Sequence, residues 1–306
     1  MKKIKALSLM ASALIMAMGI TACGEAPVAI SDSAAPQSTA APSTDTTAVS
    51  SAPASAPVVN GNLNEHTVEA IKKKGVITFA TESQYAPMCF KNEKGEMIGL
   101  EPVLMQAIAD DLGVKLEIQD MAFDNVIPSV QAGAVDVGMA GLSPTAKRKE
   151  SVNMTDFYNH GGQAMIVLTK NVDVYATKDA IKGKNVAAQK GSLQQTIGEE
   201  QFPDVKLSLF PKVPQCAEEL KADNVAAVLM DDVSASQYAK MNPGVISVAK
   251  IPVEVDKEAS GTSAATMKDN KDLTDYINGV IKKLWDSGDL DKWYLDATTA
   301  AEKMGL

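Results

Sequence analysis

Arginine is almost absent from this chain: a single residue, Arg148, stands against 28 lysines. A surface that writes its ordinary positive charge as lysine leaves the lone guanidinium as a candidate for work an ammonium does poorly. The usual work of that kind is two-pronged binding of a carboxylate or phosphate; chance on a solvated face is the alternative. Cysteine is scarce too. Beyond Cys23 only Cys89 and Cys216 occur, and if they fall in parts that move they are expected as free, buried thiols. The two histidines, His66 and His160, lack neighbours at metal-binding or catalytic spacing. No cluster of histidines or carboxylates suggests a metal, and neither a cofactor nor a metal is expected. No basic stripe offsets the formal charge of −9, so nucleic acid is not an expected partner. No 20–50-residue period suggests a repeat array.

What is present begins with an address. Lys2, Lys3 and Lys5 precede an apolar run, Ala6 to Ile20, ending in Ile20-Thr21-Ala22-Cys23. This is the pattern of a secretory signal, and the run is too short for a good spanning helix. Residues 1–22 therefore read as a lipoprotein signal, with Cys23 as the lipidated first residue of the mature chain, anchored to a membrane rather than spanning it. Residues 24–62 hold no Lys, Arg, Leu or aromatic residue and are mostly Ala, Pro, Ser and Thr. Such a stretch buries too little apolar surface to offset its ordering entropy. Residues 23–63 thus read as a lipidated tether with a reach on the order of 35 Å.

The remaining body alternates strand and helix patterns. Val76–Ala80 is β-rich, and Leu100, Val103, Leu104, Ala107, Ile108 and Leu112 make one helical stripe ended by Gly113. Val114, Leu116 and Ile118 alternate as a strand. A helix with Val126, Ile127 and Val130 inward follows, Pro128 being placed in its first turn. The second half repeats the theme through strands at 164–168, 184–188, 206–210 and 225–230 and a strongly helical tail. The fold class is α/β, with mostly parallel sheets covered by helices.

In open sheets of this class ligands sit beyond the carboxyl ends of strands. The loops there carry Glu82-Ser-Gln-Tyr85, Phe123-Asp124, Ala140 to Arg148, Lys190-Gly-Ser-Leu-Gln194 and Asp231. The ordered set Tyr85-Ala-Pro87, Ile98-Gly-Leu-Glu101, Ala109-Asp-Asp-Leu-Gly113, Phe123-Asp-Asn-Val-Ile-Pro-Ser129, Gly133-Ala-Val-Asp136 and Leu142-Ser-Pro-Thr-Ala-Lys-Arg148 resembles a bacterial extracellular solute-binding protein of the polar amino-acid class. The likeness extends more weakly through Gly191-Ser192, Asp231 and Lys292-Trp293, covering about residues 65–295.

The resemblance implies a two-lobed periplasmic-binding-protein-like fold (type II) with two hinge crossings, closing on a free amino acid for an ABC permease and its ATPase. Lobe 1 is expected over 64–160 plus 257–306 and lobe 2 over 164–254, with crossings near residues 160–162 and 255–260. By family position Arg148 grips the α-carboxylate, helped by backbone N–H groups at Ser143 and Ser192. Asp231, the Ser143 hydroxyl and a carbonyl near Gly141 take the α-ammonium. Tyr85 and Phe123 sandwich the side chain, while Glu82 and Gln194 line the pocket. Simpler readings stand beside these: Ser143 as a helix cap, Phe123 as a staple, Tyr85 in the core, Glu82 on the rim, Asp232 in place of Asp231. Glu82 departs from the family's usual aspartate, and Met88 from its usual aromatic. Lys190 adds a charge before Gly191. The expected protein is a monomer, not an enzyme. A sensing module signalling to a membrane partner is the alternative, and a cyclic-acid dehydratase with Glu82 and Asp231 as its acid/base couple is a more distant one.

Overall fold

In the computed structural model the described residues are 61–306. The signal-like segment, Cys23 and nearly all of the tether lie outside them. Two five-stranded sheets dominate, and they share one topology. The first runs in the order Lys115–Asp120, Val76–Thr81, Val137–Gly138, Ala265–Met267, Val152–Met154. The second runs Lys206–Phe210, Asn185–Gln189, Ala227–Asp231, Gln163–Leu168, Ile246–Val248. In each, the first three strands are mutually parallel and the fourth is antiparallel to both its neighbours. The fourth strand of the first sheet comes from residues 265–267, so the chain leaves that sheet, builds the second, and returns. The two passages pair with each other, Asn159–His160 against Gly261–Thr262.

The covering helices follow from apolar spacing. Leu100–Leu112 buries Leu100, Leu104, Met105, Ile108 and Leu112, a three-and-four repeat that keeps one stripe on the sheet. Each such side chain contributes about 1.5–3 kcal/mol on burial. Gly113 ends the helix in the left-handed region, φ 73°. The tail forms two helices, Lys271–Ser287 and Asp289–Met304, the first burying Leu273, Ile277, Val280 and Ile281. No helix among the described residues is long and apolar enough to cross a membrane.

Two local readings differ from the sequence expectation. The helix carrying Val126 and Val130 starts at Phe123, so Pro128 stands inside it rather than in its first turn, and Ile127 is only partly buried. His66, for which local spacing offers no partner, has one in the fold. It is buried, and its Nδ1 lies 2.7 Å from the Asp136 carboxylate. Asp136 also accepts from Lys74 Nζ at 2.8 Å and from the N–H and hydroxyl of Thr78 at 2.8 Å each. A contact across 70 residues leaves no trace in local spacing. Cys89 and Cys216 are both free and buried, and burial pushes both thiols up to about 12.

Candidate functional site

The loops leaving all six parallel strands converge on one cleft between the sheets. Tyr85, Phe123, Ala140, Gly141, Ser143 and Arg148 line it from the first sheet. Gln189, Leu193, Gln194, Val213, Leu229, Met230 and Asp231 line it from the second. Seven of the nine site residues expected from the sequence therefore share one cavity; Glu82 and Ser192 are not among its lining residues.

Arg148 sits in the short helix Ala146–Ser151, capped by the Thr145 hydroxyl, which accepts from the Arg148 N–H at 3.3 Å. Its Nη1 donates to the Ser143 carbonyl at 2.8 Å and its Nη2 crosses the cleft to the Gly191 carbonyl at 3.2 Å. The guanidinium lies 5.5 Å from the Phe123 ring centroid, a cation–π distance. Burial draws it down to about 10, which leaves it charged at any physiological pH. Two of its five N–H groups are used, so three remain for an anion.

Asp231 ends its strand and caps the helix Asp232–Met241, its Oδ1 accepting from Ser234 N–H at 2.8 Å. Its Oδ2 accepts from the Tyr85 hydroxyl at 2.6 Å. Burial raises the Asp231 carboxyl, opposed by those bonds. Asp232, the competing aspartate, is not among these lining residues; it lines an adjoining cavity with Gly161, Gly162, Thr262 and Tyr294 that shares Asp231 with the cleft. Gly141 is left-handed, φ 63°, and a Cβ there would run into the Tyr85 ring. The close approach of ring and backbone requires glycine.

Ser192 caps the helix Leu193–Gln201, accepting from Gln195 N–H at 3.2 Å. Its hydroxyl donates to the Gln189 carbonyl at 2.7 Å, and its N–H turns to the same carbonyl at 3.3 Å. The side chain is therefore occupied with shaping the loop. Gln194 lines the cleft and donates to Gln163 at 2.7 Å. Lys190 meets Asp124 across the mouth at 2.9 Å.

Glu82 is 3 % exposed, and neither carboxylate oxygen has a hydrogen-bond partner. Burial pushes it up to about 7. The Gln84 backbone, the Gln189 amide and the Lys212 charge pull the other way, the first two without reaching hydrogen-bond geometry. Gln189, Leu193, Val213 and Met230 line the cleft without having been singled out as ligand contacts. Gln189 immediately precedes the Lys190-Gly191 turn that was, and its strand ends at the cleft.

A cation and an anion facing one cavity between two aromatic faces, at the joined carboxyl ends of two like sheets, define a two-lobed α/β binding protein. Residues 77–296 match the bacterial extracellular solute-binding proteins, family 3, and the chain belongs to that family. It is 32% identical to the arginine-binding extracellular protein ArtP of Bacillus subtilis (strain 168) over 226 residues, 73% of this chain and 86% of that one. A solved amino acid ABC transporter substrate-binding protein from Streptococcus pneumoniae, bound to L-arginine, superposes with a TM-score of 0.72 at 34% identity. It covers 76% of this chain and 97% of its own. An ancestral amino acid-binding protein described as a precursor of cyclohexadienyl dehydratase aligns at 27% identity and TM-score 0.69, covering 76% and 99%.

Proposed function

We propose that this protein captures a free amino acid with a cationic side chain, arginine first among them, and delivers it to an ABC-type permease. The observation that carries the reading is the cleft itself, where Arg148 and Asp231 face one cavity from opposite sheets. An α-amino acid presents one carboxylate and one ammonium on the same carbon and can engage both walls only when they approach. A ligand bridging the walls favours the closed arrangement through contacts absent in the open one. In this reading Arg148 binds the α-carboxylate and Asp231 and Ser143 the α-ammonium. Tyr85 and Phe123 hold the side chain between them, and Gln194 lines its path.

The cationic preference rests on Glu82, which is buried beside the cavity rather than on its lining. A buried carboxylate without a partner carries a desolvation cost that a ligand cation would offset. The arginine-binding relatives point the same way. The lobes are taken as 64–160 plus 257–306 and 164–254, with Cys23 as a lipid anchor holding a monomer at the outer face of a membrane.

A dehydratase on this fold would need Glu82 and Asp231 to act as an acid/base couple. Asp231 is engaged by Tyr85 and Ser234, which suits ammonium binding better than proton transfer. A sensing role shares the same cleft and differs only in the membrane partner.

The test is calorimetry with L-arginine, L-lysine, L-histidine and neutral amino acids on protein stripped of carried-over ligand. Binding of a cationic member, tighter than of the neutral ones, is expected. Arg148→Lys should then weaken it by at least about 10-fold, because a point charge cannot reproduce a two-pronged contact. Binding of none of the panel, or an unchanged affinity in Arg148→Lys, would refute the reading.

A further inference from the structure

We propose that Glu101 is a positioning residue that couples the ligand-binding loop at Gly141–Ser143 to the first crossing between the sheets at Tyr158. The inference rests on the reading of the cleft as an amino-acid site, and it adds a residue that is not itself part of the cavity lining.

Glu101 lies in the first turn of the helix Leu100–Leu112 and is fully buried. Its Oε1 accepts from the Gly141 N–H and from the Tyr158 hydroxyl, each at 2.6 Å. Its Oε2 accepts a longer bond, 3.5 Å, from the Thr81 hydroxyl. Both short partners have a functional place. Gly141 is held left-handed beneath the Tyr85 ring, and Ser143, two residues on, gives its carbonyl to Arg148. Tyr158 is fully buried, directly precedes the crossing pair, and bonds the returning strand through its N–H to the Thr262 carbonyl at 3.0 Å.

A glycine has the greatest backbone freedom of any residue and no side chain by which packing could orient it. The peptide plane at Gly141 is therefore set by its one strong acceptor. One carboxylate oxygen fixes the floor of the ligand site and the entry to the hinge at once, so the two are held in a single register. Hydrogen bonds to an ionised acceptor are stronger than neutral ones, so the coupling is tightest when Glu101 is charged.

None of the three donors is a cation. The titratable groups facing Glu101 are Glu82 and Tyr85 on the loop after the first strand, Cys89 on the short strand Cys89–Lys91, and Tyr158. Burial pushes Glu101 up to about 7, with the Tyr158 and Gly141 bonds opposing and the like charge of Glu82 adding. Its ionisation is thus poised near neutrality.

The experiment uses the full chain and the variants Glu101→Gln and Glu101→Leu. Glutamine can keep the geometry, its Oε1 accepting from Gly141 and Tyr158 while its amide donates to Thr81; leucine leaves both donors unpartnered. The Gly141 amide proton shift is followed against pH without ligand, and L-arginine affinity is measured at about pH 6 and about pH 8, on either side of the ionisation. The Gly141 amide should titrate near pH 7 in the wild type and stay flat in Glu101→Gln. Leucine should weaken arginine binding at least about 10-fold, roughly 1.4 kcal/mol. Glutamine should restore it to within about 3-fold of the wild type at the lower pH, where the native carboxyl is itself protonated. A Gly141 amide that ignores pH in the wild type overturns the proposal. So does a leucine variant that melts lower yet binds arginine as the wild type does. A wild type that binds no arginine fails the functional reading alone, since the amide titration is read without ligand.

Discussion

The Tyr85 hydroxyl donates to the Asp231 carboxylate across 2.6 Å, joining the short strand Gln84–Tyr85 to the end of the second-sheet strand Ala227–Asp231, 146 residues away in sequence. The bond places an aromatic face and an anion on opposite walls of the same cleft. It also makes the hydroxyl a competitor for the oxygen that would receive a ligand ammonium. The two parts of the tyrosine should therefore separate on mutation. Tyr85→Phe keeps the ring and frees Asp231, and ligand affinity should change by no more than about 3-fold, the scale of one neutral hydrogen bond exchanged for another. Tyr85→Ala removes the ring and should weaken binding by at least about 30-fold, the scale of losing a buried aromatic contact. Calorimetry on the two variants reads both outcomes.

Glu82 should trade stability against binding. Its folded-state value is about 7 against an ordinary 4.5. Because the folded value is the higher one, stability present below about pH 4.5 is lost as pH rises toward 7. Glu82→Gln removes that loss. The ligand-free melting temperature of the variant should exceed that of the wild type at about pH 8, by the equivalent of roughly 1–3 kcal/mol, and the difference should vanish at about pH 4. Arginine affinity in the same variant should fall by at least about 10-fold, since the partner for the side-chain cation is gone. Melting scans and calorimetry across that pH range test both halves.

Asp136 predicts the opposite dissociation. Burial alone would raise its carboxyl, but the bonds from His66, Lys74 and Thr78 outweigh it and hold the group below its ordinary value. Its contribution is therefore present above the ordinary 3.8 and lost as pH falls through the lower folded value. Asp136→Ala strands a buried histidine and a lysine, and the melting temperature should drop on the order of 10 °C. The cluster involves none of the cleft-lining residues, so ligand affinity measured below the new transition should stay within about 2-fold.

Much of this molecule is legible in its sequence. The alternation of two-residue and three-to-four-residue apolar periods announces an α/β fold, because strands and helices bury one face at different spacings. The rarity of arginine singles out Arg148, and the strand ends point to Tyr85, Phe123, Gly141, Ser143, Gln194 and Asp231. Those six line one cavity with Arg148. Loops at strand ends are set by local order, so motif position carried over into place.

Other features depended on long-range register. Whether Glu82 lines the cavity or sits buried beside it turns on how the loop after the first strand packs against Gln189 and Lys212 of the other sheet. Ser192 proved to be engaged in its own turn and helix cap. His66 met Asp136 and Glu101 met Gly141 only because distant strands and helices came to lie side by side. Sequence by itself determined the elements, their order and the charge types available at the strand ends, since periodicity and composition are local properties. Only the tertiary structure decided which carboxylate stays unpartnered, which one orders the binding loop, and which hydroxyl reaches across the cleft. Those outcomes depend on desolvation and on distances between residues tens to hundreds of positions apart, and no local pattern encodes them.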